Sequence, residues 1–168
     1  MMMYLTVQSF IEDYENESMA TQRLLDALTD ESLRQEVALG YRTLGHLAWH
    51  LVPNGSMLDQ AGLRFEVPAA RNEPPASADI IAQSYRFTTR SLIEAVRTQW
   101  TDETLQETNR VYENPWKNGL TLSIFLRHEI HHRGQLTVLM RQAGLQFTGV
   151  YGPTKEEWAA FGMAAPAI

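Results

Sequence analysis

The chain has 168 residues, 44% of them hydrophobic and 20% charged, and fourteen Lys and Arg against twenty Asp and Glu give a formal net charge of −6. This describes a globular chain large enough to bury a core, expected as one domain over residues 1–168. An acidic balance with no basic patch argues against nucleic acid as a partner. With no cysteine, disulfides, thiolate nucleophiles, iron–sulfur clusters and Cys-based zinc sites are excluded.

In chain order, Met1 to Phe10 lacks a basic region and a small-residue cleavage site, so no signal peptide is expected. Val7, Phe10, Ile11, Tyr14, Leu24, Leu25 and Leu28 follow a 3.6-residue period and predict a long helix over about residues 5–28. Thr29-Asp30-Glu31-Ser32-Leu33 carries capping chemistry for a short element that Gly40 interrupts. Leu44, Leu47, Ala48, Leu51 and Leu58 predict a second long helix over about 42–60, with Pro53 and Gly55 marking a possible kink or early end. Residues 61–76 hold three prolines and no sustained period, and read as a long loop of the kind that covers a site or wraps a fold.

Ser77 is placed to cap a third helix over about 78–99, through Ile80, Ile81, Tyr85, Leu92 and Val96. Thr101-Asp102-Glu103-Thr104-Leu105 repeats the cap at Thr29 without repeating its flanks, so it is a second use of one device and not a duplication. Asn114 to Gly119 reads as a turn cluster, followed by a fourth long helix over about 120–142 that Gly144 closes. A last short helix, capped by Thr154, is expected to end near Phe161. No segment alternates as a strand flanked by hairpin signals, and no apolar run approaches the roughly 18 residues of a membrane span. The expectation is therefore an all-α four-helix bundle with a long connection between its second and third helices, in the cytoplasm and off the membrane.

All five histidines fall on two of these helices: His46 and His50 on the second, His128, His131 and His132 on the fourth. Each helix carries an H-x-x-x-H pair, whose members lie about 40° apart around a helix and can share one metal. At about 100° per residue, His132 lies roughly 55° and His128 roughly 95° from the fourth helix's apolar direction, while His131 points to solvent. His50 lies nearer the core side of its helix than His46. His50, His128 and His132 can thus meet in the groove between the helices as a metal site with an open fourth position, which suits catalysis better than a closed structural site. The competing reading makes them hydrogen-bonded packing residues.

His128 to His132 also spells H-E-x-x-H. Glu129 falls almost on the core direction, which requires a partner. It reads either as a buried hydrogen-bonding group that orients a ligand imidazole, the favoured role, or as a general base. Trp49, Trp116 and Tyr151 are candidate pocket-lining aromatics. Arg42 and Arg133 could bind an anionic group, although a solvated surface is the expected place for each.

The segments Arg42-Thr-Leu-Gly-His-Leu-Ala-Trp-His50 and Arg127-His-Glu-Ile-His-His-Arg-Gly-Gln135 resemble the DinB-like family of damage-inducible four-helix proteins, related to bacillithiol transferases and mycothiol-dependent maleylpyruvate isomerase. Gly149 to Trp158 is similar to a branch of that family. The resemblance implies a metal triad of one second-helix histidine and the fourth-helix pair, which here are His50, His128 and His132. It further implies a divalent metal, commonly zinc or nickel, and often a homodimer. The expected function is that of a metal-dependent enzyme of thiol-transferase or isomerase type, acting on a small molecule such as a low-molecular-weight thiol. A non-enzymatic, stress-linked metal- or ligand-binding bundle is the alternative. A zinc peptidase is disfavoured for want of a strand to hold an extended peptide.

Overall fold

Three of the helices start on side-chain caps. In the computed structural model, which describes residues 3–69 and 73–167, Thr6 accepts the Ser9 N–H and opens α1 (Val7–Asp26). Thr43 accepts the His46 N–H and opens α2 (Leu44–Leu51). The pattern predicted over 42–60 is broken after α2: Val52 is extended, as a residue preceding proline tends to be, and Gly55 at φ +81 leads into the short α3 (Ser56–Gln60). Ser77 accepts the Ile80 N–H at the start of α4 (Ala78–Gln99), as its sequence predicts. Each such cap contributes about 1 kcal/mol to its helix.

The fourth long helix, α5 (Asn118–Gln142), starts two residues earlier than its pattern suggests. It ends with Gly144 at φ +76 while Leu145 N–H reaches back to the Met140 carbonyl, a glycine-closed helix end. The two Thr-Asp-Glu motifs do make one device twice. Thr29 and Ser32 exchange backbone-to-hydroxyl bonds, as do Thr101 and Thr104, and each pair nucleates a 3-10 turn. The final short element is also a 3-10 turn, Trp158–Phe161, with Glu157 at its cap position instead of Thr154.

One expectation is overturned. Within the segment read as strand-free lies an antiparallel hairpin, β1 (Thr108–Val111) and β2 (Asn114–Lys117), with Val111 paired to Asn114. Its two turn residues, Tyr112 and Glu113, both have positive φ, +47 and +65. This is the geometry of a tight hairpin normally built from Asn-Gly, and neither residue advertises it. The loop expected over 61–76 opens with a turn at Ala61 and Gly62 and carries no helix or strand where described; its residues 70–72 lie outside the described residues, as do Met1 and Met2 of the amino-terminal reading.

α1 packs along α4, and α2 packs along α5. Their apolar faces form two clusters. One joins Leu24, Leu44, Leu47, Ile81, Tyr85 and Leu136; the other joins Phe10, Tyr14, Leu58, Leu92, Leu105 and Leu122. Among the described residues no helix is long and apolar enough to cross a membrane.

The start of α5 is fixed by Asn118, buried and bonded to the Thr104 carbonyl and to Asn109. Beside it the Tyr4 N–H donates to the Gly119 carbonyl at 3.1 Å. A Cβ on Gly119 would collide with the Tyr4 carbonyl oxygen. Gly119→Ala is therefore expected to destabilise the protein by about 1–3 kcal/mol, the range for overpacking a filled site. An unchanged urea midpoint would show that the amino-terminal segment does not press on α5.

Candidate metal centre

His50 stands in the last turn of α2, and His128 and His132 lie one turn apart on α5. The packing of α2 on α5 brings them together. One ligand atom from each imidazole lies within 4.8 Å of the other two. The rings meet edge to face, with centroids 5.1 Å apart for His50 and His128, 4.5 Å for His50 and His132, and 4.4 Å for His128 and His132. This is the trio that helix rotation singles out, and such a set is compatible with a divalent metal.

The surroundings orient these imidazoles and lower their affinity for protons. The His132 and His128 Nε2 atoms face each other at 3.0 Å. His132 Nδ1 lies 2.7 Å from Gln135 Oε1, an acceptor that draws the ring proton to Nδ1 and leaves the Nε2 lone pair free. The same amide reaches His131 Nε2 at 3.2 Å, so the exposed His131 steadies Gln135 from outside the trio. Burial, then the neighbouring imidazoles and Arg42, lower the His50 pKa from 6.5 to about 4. Burial likewise lowers His128 and His132, with Arg42 adding to both. Three neutral imidazoles crowded together favour a cation over a proton.

His46 does not join them. Thr43 Oγ1 holds its Nδ1 at 2.8 Å, and Glu73 lies 3.3 Å from its Nε2, so it belongs to the contact between α2 and the 61–76 segment.

Glu129 is buried, as its place on the helix predicts. Its Oε1 accepts from Thr21 of α1 at 2.7 Å and from Tyr85 of α4 at 2.5 Å. Among the described residues no imidazole bonds to it. Burial raises its pKa, against the lowering effects of Tyr85, Thr21 and Arg133. Arg133 corrects the expectation of a solvated side chain: it is 2% exposed. It donates to the Glu17 carboxylate at 2.5 Å, to the Glu17 carbonyl at 2.9 Å and to the Tyr151 hydroxyl at 2.9 Å. Tyr151 is thereby a clamp on Arg133 and not a wall of the histidine site. Arg42 is exposed, as expected.

Two cavities meet at His50. One, about 260 Å³, is lined by His50, His128, Glu129, Phe125, Tyr112 and the 51–58 turn. The other, about 330 Å³, is lined by Arg42, His46, Trp49, His50 and Pro68 among others. Trp49 is thus a site-lining aromatic, whereas Trp116 packs against the core cluster of Phe10, Tyr14 and Leu92. Sequence reasoning missed Tyr112, Asn54 and Ser56. Only the Pro53–Gly55 break gave any signal of a turn at the last two. Larger grooves, about 870 Å³ along α4 and 790 Å³ beneath the carboxy-terminal segment, contain no histidine.

A helical bundle with three converging histidines, one from α2 and an i, i+4 pair from α5, defines a class of protein, and the comparisons identify it. The sequence model of the DinB family matches residues 3–166, and the chain belongs to that family. It is 47% identical over 165 residues, covering 98% of this chain and 99% of the other, to a Bacillus subtilis (strain 168) protein named "Uncharacterized protein YrdA". The crystal structure of a DinB-like protein from Bacillus cereus ATCC 10987 superposes with a TM-score of 0.85 at 44% identity, covering 89% of this chain and all of that one. A DinB-like protein from Bacillus subtilis, YjoA, shares the fold at a TM-score of 0.62 and 18% identity, over 87% of this chain and 99% of its own.

The lowered imidazole pKa values set a pH dependence. Between about 6.5 and about 4 the unfolded chain binds protons that the folded His50 refuses, so stability rises with pH across that window and is lost as pH falls through it. The melting temperature of metal-free protein is expected to drop over this interval, and His50→Gln is expected to make the drop shallower. Equal slopes for the two proteins would show that His50 titrates normally.

Proposed function

We propose that this chain is a divalent-metal protein in which His50, His128 and His132 each give one nitrogen to the cation and leave a position open to an exogenous ligand. The observation that carries this reading is the convergence of three ligand atoms within 4.8 Å on a surface where burial and neighbouring charge keep all three rings neutral. Zinc or nickel is the expected metal, both well suited to imidazole donors. Such a cation lowers the pKa of a thiol or water placed on its open position. The reading extends to a metal-dependent enzyme of thiol-transferase or isomerase type acting on a small molecule, working in the cytoplasm as a homodimer.

The chain's own residues have definite tasks in this scheme. Gln135 holds His132 in the tautomer that presents Nε2. Arg42 lends positive charge beside the trio and favours an anionic ligand atom over a second cation. Glu129 and Arg133 fix α5 so that His128 and His132 face α2. The peptidase reading of the H-E-x-x-H match stays disfavoured in this scheme. The one hydrogen-bonded oxygen of Glu129 is engaged by two core hydroxyls, and the short β1–β2 hairpin does not alter that, although it removes the argument that the chain has no strand.

Protein purified without chelator or affinity tag is expected to carry, or to take up from added zinc or nickel, about one metal per chain. His50→Ala and His128→Ala are both expected to lose it, as read by elemental analysis. Wild-type protein that binds neither metal would overturn the reading.

A further inference from the structure

The hairpin turn next to the histidines is built from the wrong residues for its shape. Tyr112 and Glu113 hold φ +47 and +65, where a two-residue turn favours Asn-Gly or Asp-Gly. A bulky side chain at positive φ is an outlier, and such outliers point to what the local structure is holding in place. The conformation is fixed from two sides: the Tyr112 N–H donates to Gln60 Oε1 at 2.8 Å, and its carbonyl accepts from Asn114 Nδ2 at 2.8 Å.

What the turn presents is a half-exposed ring whose hydroxyl lies 3.4 Å from Ser56 Oγ. The Ser56 hydroxyl already donates to Asn54 Oδ1 at 2.9 Å, which leaves Tyr112 as the donor of the longer bond. At that length the bond is near the outer limit, so the phenol proton can turn to a better-placed acceptor.

Tyr112, Asn54 and Ser56 line the same cavity of about 260 Å³ as His50 and His128, with Met57 and Phe125 as apolar wall. Glu129 lines it too, and its buried Oε2 has no hydrogen-bond partner among the described residues. An apolar chamber with a few convergent polar groups is the form of a small-molecule site. Its volume falls below the roughly 300–1,000 Å³ of pockets for drug-sized ligands, so its occupant is small.

We propose that Tyr112 is a substrate-binding residue: its hydroxyl donates a hydrogen bond to a hydroxyl or carbonyl oxygen of a small molecule whose other end is bound by the cation on His50, His128 and His132. This rests on the metal reading above. Placing the phenol at the chamber is what the costly turn achieves, and an Asn-Gly turn would relax the backbone while leaving the chamber without its donor.

The test uses the full chain loaded with cobalt(II), whose visible spectrum is titrated with 2-mercaptoethanol and with ethanethiol, two thiols that differ by one hydroxyl. Wild type is expected to bind 2-mercaptoethanol about three- to tenfold tighter, the effect of one net hydrogen bond. In Tyr112→Phe the preference is expected to shrink to within about twofold, with cobalt stoichiometry and ethanethiol affinity unchanged. The double variant Tyr112→Asn, Glu113→Gly is expected to melt higher than wild type and to lose the same preference. A wild type without the preference, a Tyr112→Phe protein that retains it, or a double variant that melts lower than wild type overturns the proposal. Failure to bind cobalt, or a spectrum that neither thiol changes, removes the open metal site and this proposal with it. Cobalt and thiol binding with an undiminished preference in Tyr112→Phe overturns the Tyr112 assignment alone.

Discussion

The rotational setting of α5 about its own axis is the constraint on which the site depends. Glu129 and Arg133 lie four residues apart and are pinned from the far side of the bundle, Glu129 by Thr21 and Tyr85, Arg133 by Glu17. His128 and His132 are also four residues apart and sit one position earlier on the same helix, about 100° around it. Turning the buried pair into the core therefore turns the histidine pair toward α2. Breaking a buried ion pair by removing one partner typically costs about 3–5 kcal/mol, so a competing rotation of α5 is strongly disfavoured. The polar seam inside the bundle and the imidazoles at its edge are two consequences of one helical phase.

Much of this was legible in the residues. The 3.6-residue periods of α1, α4 and α5 and the caps at Ser77 and Gly144 mark their helices directly, and the rotation estimate selects His50, His128 and His132 while setting His131 aside. The misses have physical causes. The hairpin was invisible because a Tyr-Glu turn lacks the glycine or asparagine that positive φ normally demands, and four-residue strands are too short to alternate clearly. Arg133 was placed in solvent because its partner, Glu17, is distant in sequence and only the packing of α1 on α5 supplies it. Periodicity reports which face a residue occupies, not which charged group waits there.

The break between α2 and α3 shows how a local defect serves the site. An unbroken helix from 42 to 60 would continue past His50 and cover the approach to it. Instead, proline and a positive-φ glycine turn the chain, and the 52–55 turn lines both cavities that meet at His50. Helix propensity is given up where a straight helix would run on past the histidine trio.

The carboxy-terminal segment has an unusual attachment. It contains no long helix, yet Tyr151 places its hydroxyl 2.7 Å from the Glu17 carboxylate and within reach of Arg133, while Arg141 grips Glu156 and Glu157 caps the backbone at Gly149 and Thr154. Peeling this tail away would strip a ligand from a guanidinium at the heart of the bundle. Tyr151 thus ties the tail to the Arg133–Glu17 pair that joins α5 to α1, so its anchor is expected to exchange with those helices. Through Tyr151 the irregular tail is latched to the helix that carries the histidines.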